Sequence, residues 1–208
     1  MSTLFTSMRL AMRGSLLLEL GGAGDPAGEP QKIGVAFADV MTGLYAVIGI
    51  QAALIRRQAG GGGEHVDMAL LDVMVGTLAN QGLNYLVSGS SPTRLGNAHP
   101  NIAPYQVLPA ADGWFILAVG SDAQFRRFCD VVGCSEVADD PRFRTNAERV
   151  RNRAGLEPLI AAATERLGRD ALLGGLEAVG VPAGPINTVE QAFADPQVRH
   201  RGLAHSIP

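Results

Sequence analysis

Cysteine is scarce in this chain, and its two residues, Cys129 and Cys134, have no histidine near them. A zinc site needs more ligands than that pair supplies. The scarcity points to a reducing compartment, with both thiols as small core residues. Strong charge of either sign is also missing, since the formal net charge is -3. Neither nucleic acid nor an anionic membrane is therefore expected as a partner. Lysine is nearly absent: Lys32 is the one lysine among 17 basic residues. This bias says more about GC-rich coding than about function. Arg126-Arg127 and the cluster from Arg142 to Arg153 are expected on solvated faces. A lesser role in holding the phosphates of a nucleotide-like ligand stays open, because guanidinium forks suit phosphate.

Further absences narrow the class. The apolar run Leu16-Leu17-Leu18 is short, broken by Glu19 and preceded by Arg13, so no secretory signal is expected. No run is expected to be long enough to span a bilayer. On these grounds the chain reads as cytoplasmic. There is no internal repeat and no low-complexity tract. The run Gly60 to Gly63 is not followed by Lys-Ser/Thr, so it reads as a turn and not as a phosphate-cradling loop. With 208 residues, 47% of them hydrophobic, the chain has the composition of an ordinary globular protein of one or two domains.

The stretch that organises the rest runs from Gly34 to Tyr45. Asp39 is its one charged residue, set among small and apolar neighbours, and Gly43 leaves room for close backbone approach. Burying an unpaired carboxylate is costly, so this one needs a role. Two compatible readings exist. Asp39 caps the apolar helix that follows, or it is a desolvated carboxylate that acts as a covalent nucleophile.

Local pattern supplies the elements. Val40 to Gln58 is apolar and free of proline, which predicts a long buried helix closed by Arg56, Arg57 and the glycine run. Met8 to Leu20 allows a short helix, and Gly21 to Pro30 a loop. Glu64 to Ala69 alternates as a short strand does. Leu70 to Val87 predicts a second helix, with Leu71, Met74, Val75, Leu78, Leu83 and Leu86 inward. Asp72 is a structural charge near its start, and His65 a surface residue. Ser88 to Pro104 is a long loop. Tyr105–Pro109 and Trp114–Val119 predict a hairpin. Ser121 caps a helix over Gln124–Val132. Helices then run over Asn146–Leu167, split or kinked at Pro158, and over Arg169–Val179. A short extended segment covers Val181 to Ile186, and Thr188 and Asp195-Pro196 start two final helices.

Several segments, taken in order, resemble the class III CoA-transferases, the CaiB/BaiF family. They are Lys32 to Ala36, Asp39-Val40-Met41-Thr42-Gly43-Leu44-Tyr45, His65 to Asp72, and Ala79 to Tyr85. Arg94-Leu95-Gly96-Asn97-Ala98-His99-Pro100-Asn101-Ile102-Ala103-Pro104-Tyr105, Ala111 to Trp114, and Gly180 to Asn187 complete the set. The resemblance runs from about Glu29 to Leu203. It implies that Asp39, in the family's Gly-x-x-x-x-Asp-x-x-Thr-Gly pattern, is the acyl-accepting nucleophile. It places Gly96, Asn97 and His99 where some members carry a glycine loop over the active site. Here Pro100 replaces further glycine, so a lid of equal mobility is not expected. Asn97 and His99 are candidate donors to an acyl oxygen.

The resemblance implies the α/β fold of class III CoA-transferases, with this chain covering mainly the helical linker region and a small α+β domain. The expected layout is 1–30 as a poorly patterned segment, 31–104 as the helical segment carrying the nucleophile, and 105–208 as the small α+β domain. Family members are longer and begin with a Rossmann-like half that holds much of the coenzyme A. The chain thus reads as the middle of a member: a truncated gene, a misassigned start or a remnant. The implied reaction moves coenzyme A from an acyl-CoA to a free carboxylic acid through an aspartyl intermediate at Asp39. Coenzyme A and acyl-CoA are substrates, and no permanently bound cofactor and no metal is expected. The implied partner is a second copy in a homodimer, or a separately encoded missing half. Three alternatives stay open: an α-methylacyl-CoA racemase of the same fold, a non-catalytic remnant or subunit, and a helical interaction module.

Overall fold

The computed structural model describes residues 6–9 (backbone), 24–25, 27–29, 31 and 33–206. It divides into two compact units, Met1–Asn97 and Ala98–Pro208.

The first unit is built on a β-α-β connection. Strand β1 (Thr6–Arg9) pairs in parallel with β2 (Val66–Ala69), Thr6 opposite Val66 and Arg9 opposite Ala69. Parallel strands need a long crossover, and here it contains helix α1 (Phe37–Gln58). This corrects one expectation: Thr6–Arg9 is extended where a helix from Met8 was expected. The rest of the Met8–Leu20 helix lies outside the described residues.

Helix α1 ends where the sequence predicts. Arg56 and Arg57 occupy its last turn, and Gly61 N–H donates to Arg56 C=O at 3.0 Å. A Cβ on Gly61 would stand 2.8 Å from that same oxygen, so only glycine closes this turn. Close approach of α1 to the sheet occurs at Gly49, where a Cβ would lie 3.2 Å from Val66 Cγ1. At Gly43 a Cβ would meet nothing within 4 Å, which corrects the close approach expected there.

The expected helix over Leu70–Val87 is two helices, α2 (Leu70–Gly76) and α3 (Ala79–Ser88). Thr77 Oγ1 turns back to Met74 C=O at 3.0 Å, and Ala79 takes φ +48°. Gly76 and a hydroxyl that competes for backbone carbonyls explain the break. Ala38, Leu70 and Met74 form a small core with Phe37 against it.

Most of the apolar surface of this unit lies outside that core. On α1 only Ala38, Thr42 and Ala53 are buried, and α3 buries no residue. Ile55 is 66% exposed and Leu86 79%. The inward face expected for Val75, Leu83 and Leu86 is therefore open, and α1 is not a buried helix in this chain. By length and composition alone α1 is apolar enough to cross a membrane, which corrects the expectation that no run reaches that length.

The second unit holds the main core. Strands β3 (Tyr105–Ala110), β4 (Gly113–Ala118) and β5 (Ala183–Pro185) form an antiparallel sheet in that order. Tyr105 pairs with Ala118 and Ala110 with Gly113, leaving Ala111-Asp112 as a two-residue turn. Alternation sends Leu108, Phe115 and Leu117 inward. They pack on α4 (Asp122–Val132), α5 (Ser135–Asp139), α7 (Arg153–Thr164) and α8 (Arg169–Ala178) through Phe125, Phe128, Val137, Leu156, Ile160, Leu172 and Leu176, with Phe143 joining from the turn before α6 (Asn146–Arg151).

Helix starts are chemically defined. Ser121 Oγ accepts from Gln124 N–H, as expected, and Thr145 and Glu148 form a capping box. Asp112, from the hairpin turn, accepts Arg169 N–H at 2.7 Å and so satisfies an orphan donor at the start of α8. Thr188 caps α9 (Val189–Ala194), and Asp195 caps α10 (Pro196–His200). The break in the 146–164 region falls at Asn152, not at Pro158. Asn152 Nδ2 donates to both Arg142 and Glu148 C=O at 3.0 Å, while α7 continues through Pro158.

The arginine cluster is the largest departure from expectation. Arg149 has no exposed surface. Its guanidinium donates to Ala103 C=O at 2.6 Å, to Phe143 and Arg144 C=O at 3.1 and 3.4 Å, and to Asp122 Oδ1 at 2.8 Å. Its flat face lies 4.4 Å from the Phe125 ring centroid. A solvated face was expected for the whole stretch, and it holds for Arg142 and Arg151 but not for Arg149.

Two outcomes follow. Arg149→Met should destabilise the chain by about 3 kcal/mol or more, because buried carbonyls lose their donors. Arg149→Lys should rescue little, since an ammonium lacks the fork. Asp122→Asn should cost about 1 kcal/mol or less, Asp122 being half exposed; chemical denaturation ranks the three. Light scattering on the 208-residue chain should show self-association that grows with concentration and weakens in Leu86→Glu. A clean monomer throughout would contradict this reading of the open helix faces.

Candidate active site

Asp39 sits in the first turn of α1, three residues after its N-cap Ala36. Ala36 offers no side-chain cap, and Asp39 does not take that role; the capping expectation is corrected. The carboxylate still lies at the positive end of a 22-residue helix, where negative charge is favoured. It is exposed, not desolvated as expected, with Val35 and Val40 exposed beside it. The Thr42 hydroxyl is buried and donates to Ala38 C=O at 2.6 Å. Thr42 therefore ties down the first turn of the helix from within and leaves Asp39 facing outward.

Gly96 belongs to the same unit. It takes φ +63°, and its N–H donates to Gly24 C=O at 3.1 Å. Arg94 clamps the same neighbouring segment, with Nε on Asp25 C=O at 3.2 Å and Nη2 on Gly28 C=O at 3.0 Å. Gly96 and Asn97 close the first unit, and His99 is the second residue of the second.

His99 is held from several sides. Its N–H donates to Tyr105 C=O at 2.9 Å, and its ring stacks on Tyr105 at 5.2 Å between centroids. Its Nδ1 accepts from Asn101 N–H at 3.1 Å. A neutral ring so placed carries its proton on Nε2, the one ring nitrogen then able to donate outward. Its carbonyl accepts from Arg153 Nη2 at 2.6 Å.

The loop after His99 is anchored by residues that the sequence reading missed as a set. Asn146 accepts from Ala103 N–H at 3.1 Å and donates to Asn101 C=O at 2.9 Å. Arg149 holds Ala103 C=O, and Arg153 reaches His99 and Ile102. Burial lowers the Arg153 pKa from its usual value, and its Nη1 is buried without a partner. The available signal was spacing for one pair: 146 and 149 are three apart on α6, whereas Arg153 opens α7. The chain thus replaces loop mobility with a rigid clamp over 99–103.

Among the described residues no group of three or more His, Cys, Asp or Glu is placed to hold a metal. The Gly60–Gly63 run follows the C-terminus of α1, where the helix dipole repels phosphate.

The model of the family described as CoA-transferase family III matches residues 8–208. A succinate–glutarate CoA-transferase of Agrobacterium fabrum is 54% identical over 180 residues, covering 86% of this chain and 45% of that protein. A human succinyl-CoA:glutarate CoA-transferase is 37% identical over 180 residues, covering 86% of this chain and 41% of its own. The chain therefore spans less than half the length of these two relatives. The crystal structure of a CaiB/BaiF family protein from Brucella suis superposes with a TM-score of 0.73 at 57% identity, over 91% of this chain and 49% of that one. With its fold matched there, and the family pattern extending from residue 8 to its last residue, this chain belongs to CoA-transferase family III.

Proposed function

We propose that the protein moves coenzyme A between an acyl-CoA and a free carboxylic acid, with Asp39 as the acyl acceptor. The observation that carries this is the position of Asp39: an outward carboxylate in the first turn of an apolar helix, in the family's pattern. The two relatives act by name on succinate and glutarate. We carry that class to this chain and take its substrates to be short dicarboxylic acids and their thioesters. The relatives' transferase names disfavour the racemase alternative.

The steps balance without a cofactor. Asp39 attacks the thioester carbonyl and expels the coenzyme A thiolate, leaving a mixed anhydride. The thiolate attacks the aspartyl carbonyl, giving an aspartyl-CoA thioester and releasing the first acid. The second acid attacks that thioester and again expels thiolate. The thiolate then attacks the new acyl carbon, forming the product thioester and restoring the Asp39 carboxylate. A carboxylate suits this role because donor and acceptor carbonyls are then of like reactivity in both directions. His99 Nε2 and the Asn97 side-chain amide are the proposed donors to the acyl oxygen, and the backbone N–H groups near Gly96 contribute with them. We assign a homodimer as the working assembly, or a pairing with a separately encoded Rossmann-like half.

Incubation with succinyl-CoA and hydroxylamine, followed by peptide mass spectrometry, should place a hydroxamate on Asp39. The experiment is run on the chain alone and together with the N-terminal portion of the Agrobacterium fabrum relative. Asp39→Ala should lower exchange by ~1,000-fold or more. An adduct elsewhere, or full exchange by the alanine variant, rejects the assignment.

Exposure of Asp39 sets a second expectation. An anhydride open to water hydrolyses, and exchange requires water to be kept out. The 208-residue chain alone should bind coenzyme A weakly by calorimetry and show little isotope exchange between succinyl-CoA and succinate. Displacement of the thioester by ~1 Å already costs ~100-fold. Tight binding and robust exchange by the chain alone would show that the coenzyme site is misplaced here.

A further inference from the structure

The corner between α4 and α5 holds both cysteines, and the family reaction uses neither. Helix α4 ends in a complete Schellman motif. Gly133 takes φ +71°, its N–H donates to Asp130 C=O at 3.4 Å, and Cys134 N–H donates to Cys129 C=O at 2.9 Å. In this motif the residues at the two ends of the longer bond turn their side chains toward each other. Here both are cysteines. Cys129 is fully buried and Cys134 is 4% exposed, and each thiol shifts the pKa of the other. Ser135 Oγ donates to Asp130 Oδ1 at 2.7 Å and clips the same corner. The closed turn brings the two cysteines' backbones within one hydrogen bond of each other, the approach that a disulfide needs.

We propose that Cys129 and Cys134 form an oxidisable dithiol that closes to an intrachain disulfide under peroxide without unfolding the chain. Cys134, the more exposed thiol, reacts first. Its thiolate takes one oxygen of hydrogen peroxide as the O–O bond breaks, giving a sulfenic acid and hydroxide, which takes up the thiol proton to become water. The Cys129 sulfur then attacks the Cys134 sulfur, forming the S–S bond. The hydroxyl group leaves with the Cys129 proton as a second water. Two thiols are oxidised by two electrons, and one peroxide is reduced to two waters. The interaction of the two thiols favours this order. It pushes the Cys129 pKa up, with burial adding to the rise, and it holds that of Cys134 down. Oxidation therefore fastens the last turn of α4 to the start of α5.

The test uses the chain purified reduced, freed of reductant and exposed to hydrogen peroxide. Free thiols are counted after denaturation, and the peptides are mapped unreduced. The expected result is loss of both thiols, a Cys129–Cys134 cross-linked peptide, and a melting temperature raised by about 5 °C. Cys129→Ala should stop at a Cys134 sulfenic acid trapped by dimedone, and Cys129→Ser serves if the alanine variant does not fold. Cross-linking only in urea, sulfinic acid without a disulfide, disulfides between chains, or unreacted thiols would each overturn the proposal.

Discussion

The second unit depends on one buried cation. Removing a guanidinium from water costs several kcal/mol, and that cost is met only if its donors are fully used. Arg149 meets the condition with three backbone carbonyls, one carboxylate and an aromatic face. Its partners come from distant parts of the unit: Ala103 in the loop before β3, Phe143 and Arg144 before α6, and Asp122 and Phe125 on α4. The planar fork fixes their directions as well as their distances. A hydrophobic residue of equal volume would fill the space and leave those carbonyls unpaired. Arg149 therefore specifies how the loop meets the helices, and Asn146 and Arg153 extend the same constraint toward His99.

The first unit follows the opposite logic. Among the described residues its core is three buried apolar residues with one partner, while two of its helices turn long apolar faces outward. A glycine sets the approach of α1 to the sheet, at Gly49 against Val66. Such a unit has too little buried surface to be rigid by itself, since burial scales its stability. The setting of Asp39 is nevertheless local. The helix dipole and the buried Thr42 bond act within one turn of Asp39, and neither needs a large core.

This contrast explains what was legible in the sequence. Hairpin, caps and helix ends depend on neighbours in the chain, so Ser121, Thr188, Asp195 and the Ala111-Asp112 turn are readable directly. Asp39 is readable as a lone charge in an apolar stretch and through the family pattern. What depends on partners far along the chain is not readable. A charged arginine in a charged stretch looks solvated until Ala103, Phe143 and Asp122 are brought to it. The pairing of Thr6–Arg9 with Val66–Ala69 spans the whole first helix and leaves no local trace. Pro158 looked like the break in its helix, yet Asn152 supplies a stronger one by bonding two carbonyls with its side chain. Burial was overestimated for the same reason: periodicity shows which face is apolar, not whether anything covers it.

The division of labour bears on how such a site can work. Aspartyl chemistry asks for a nucleophile that can accept and release bulky acyl groups, so Asp39 needs open space in front of it. It also asks for oxygen donors that do not move when charge develops. Within its own unit the Asp39 carboxylate is outward on a sparsely packed helix, and within its own unit the His99 ring, amide and carbonyl are each held. A glycine-rich lid would gain closure at the cost of ordering entropy on every turnover. With Pro100 and the Asn146–Arg149–Arg153 clamp, that ordering is already complete in the folded chain. The proposed reaction also asks that water be kept from Asp39, and the apolar faces left open on α1 and α3 are the surfaces of its own unit that a cover would meet.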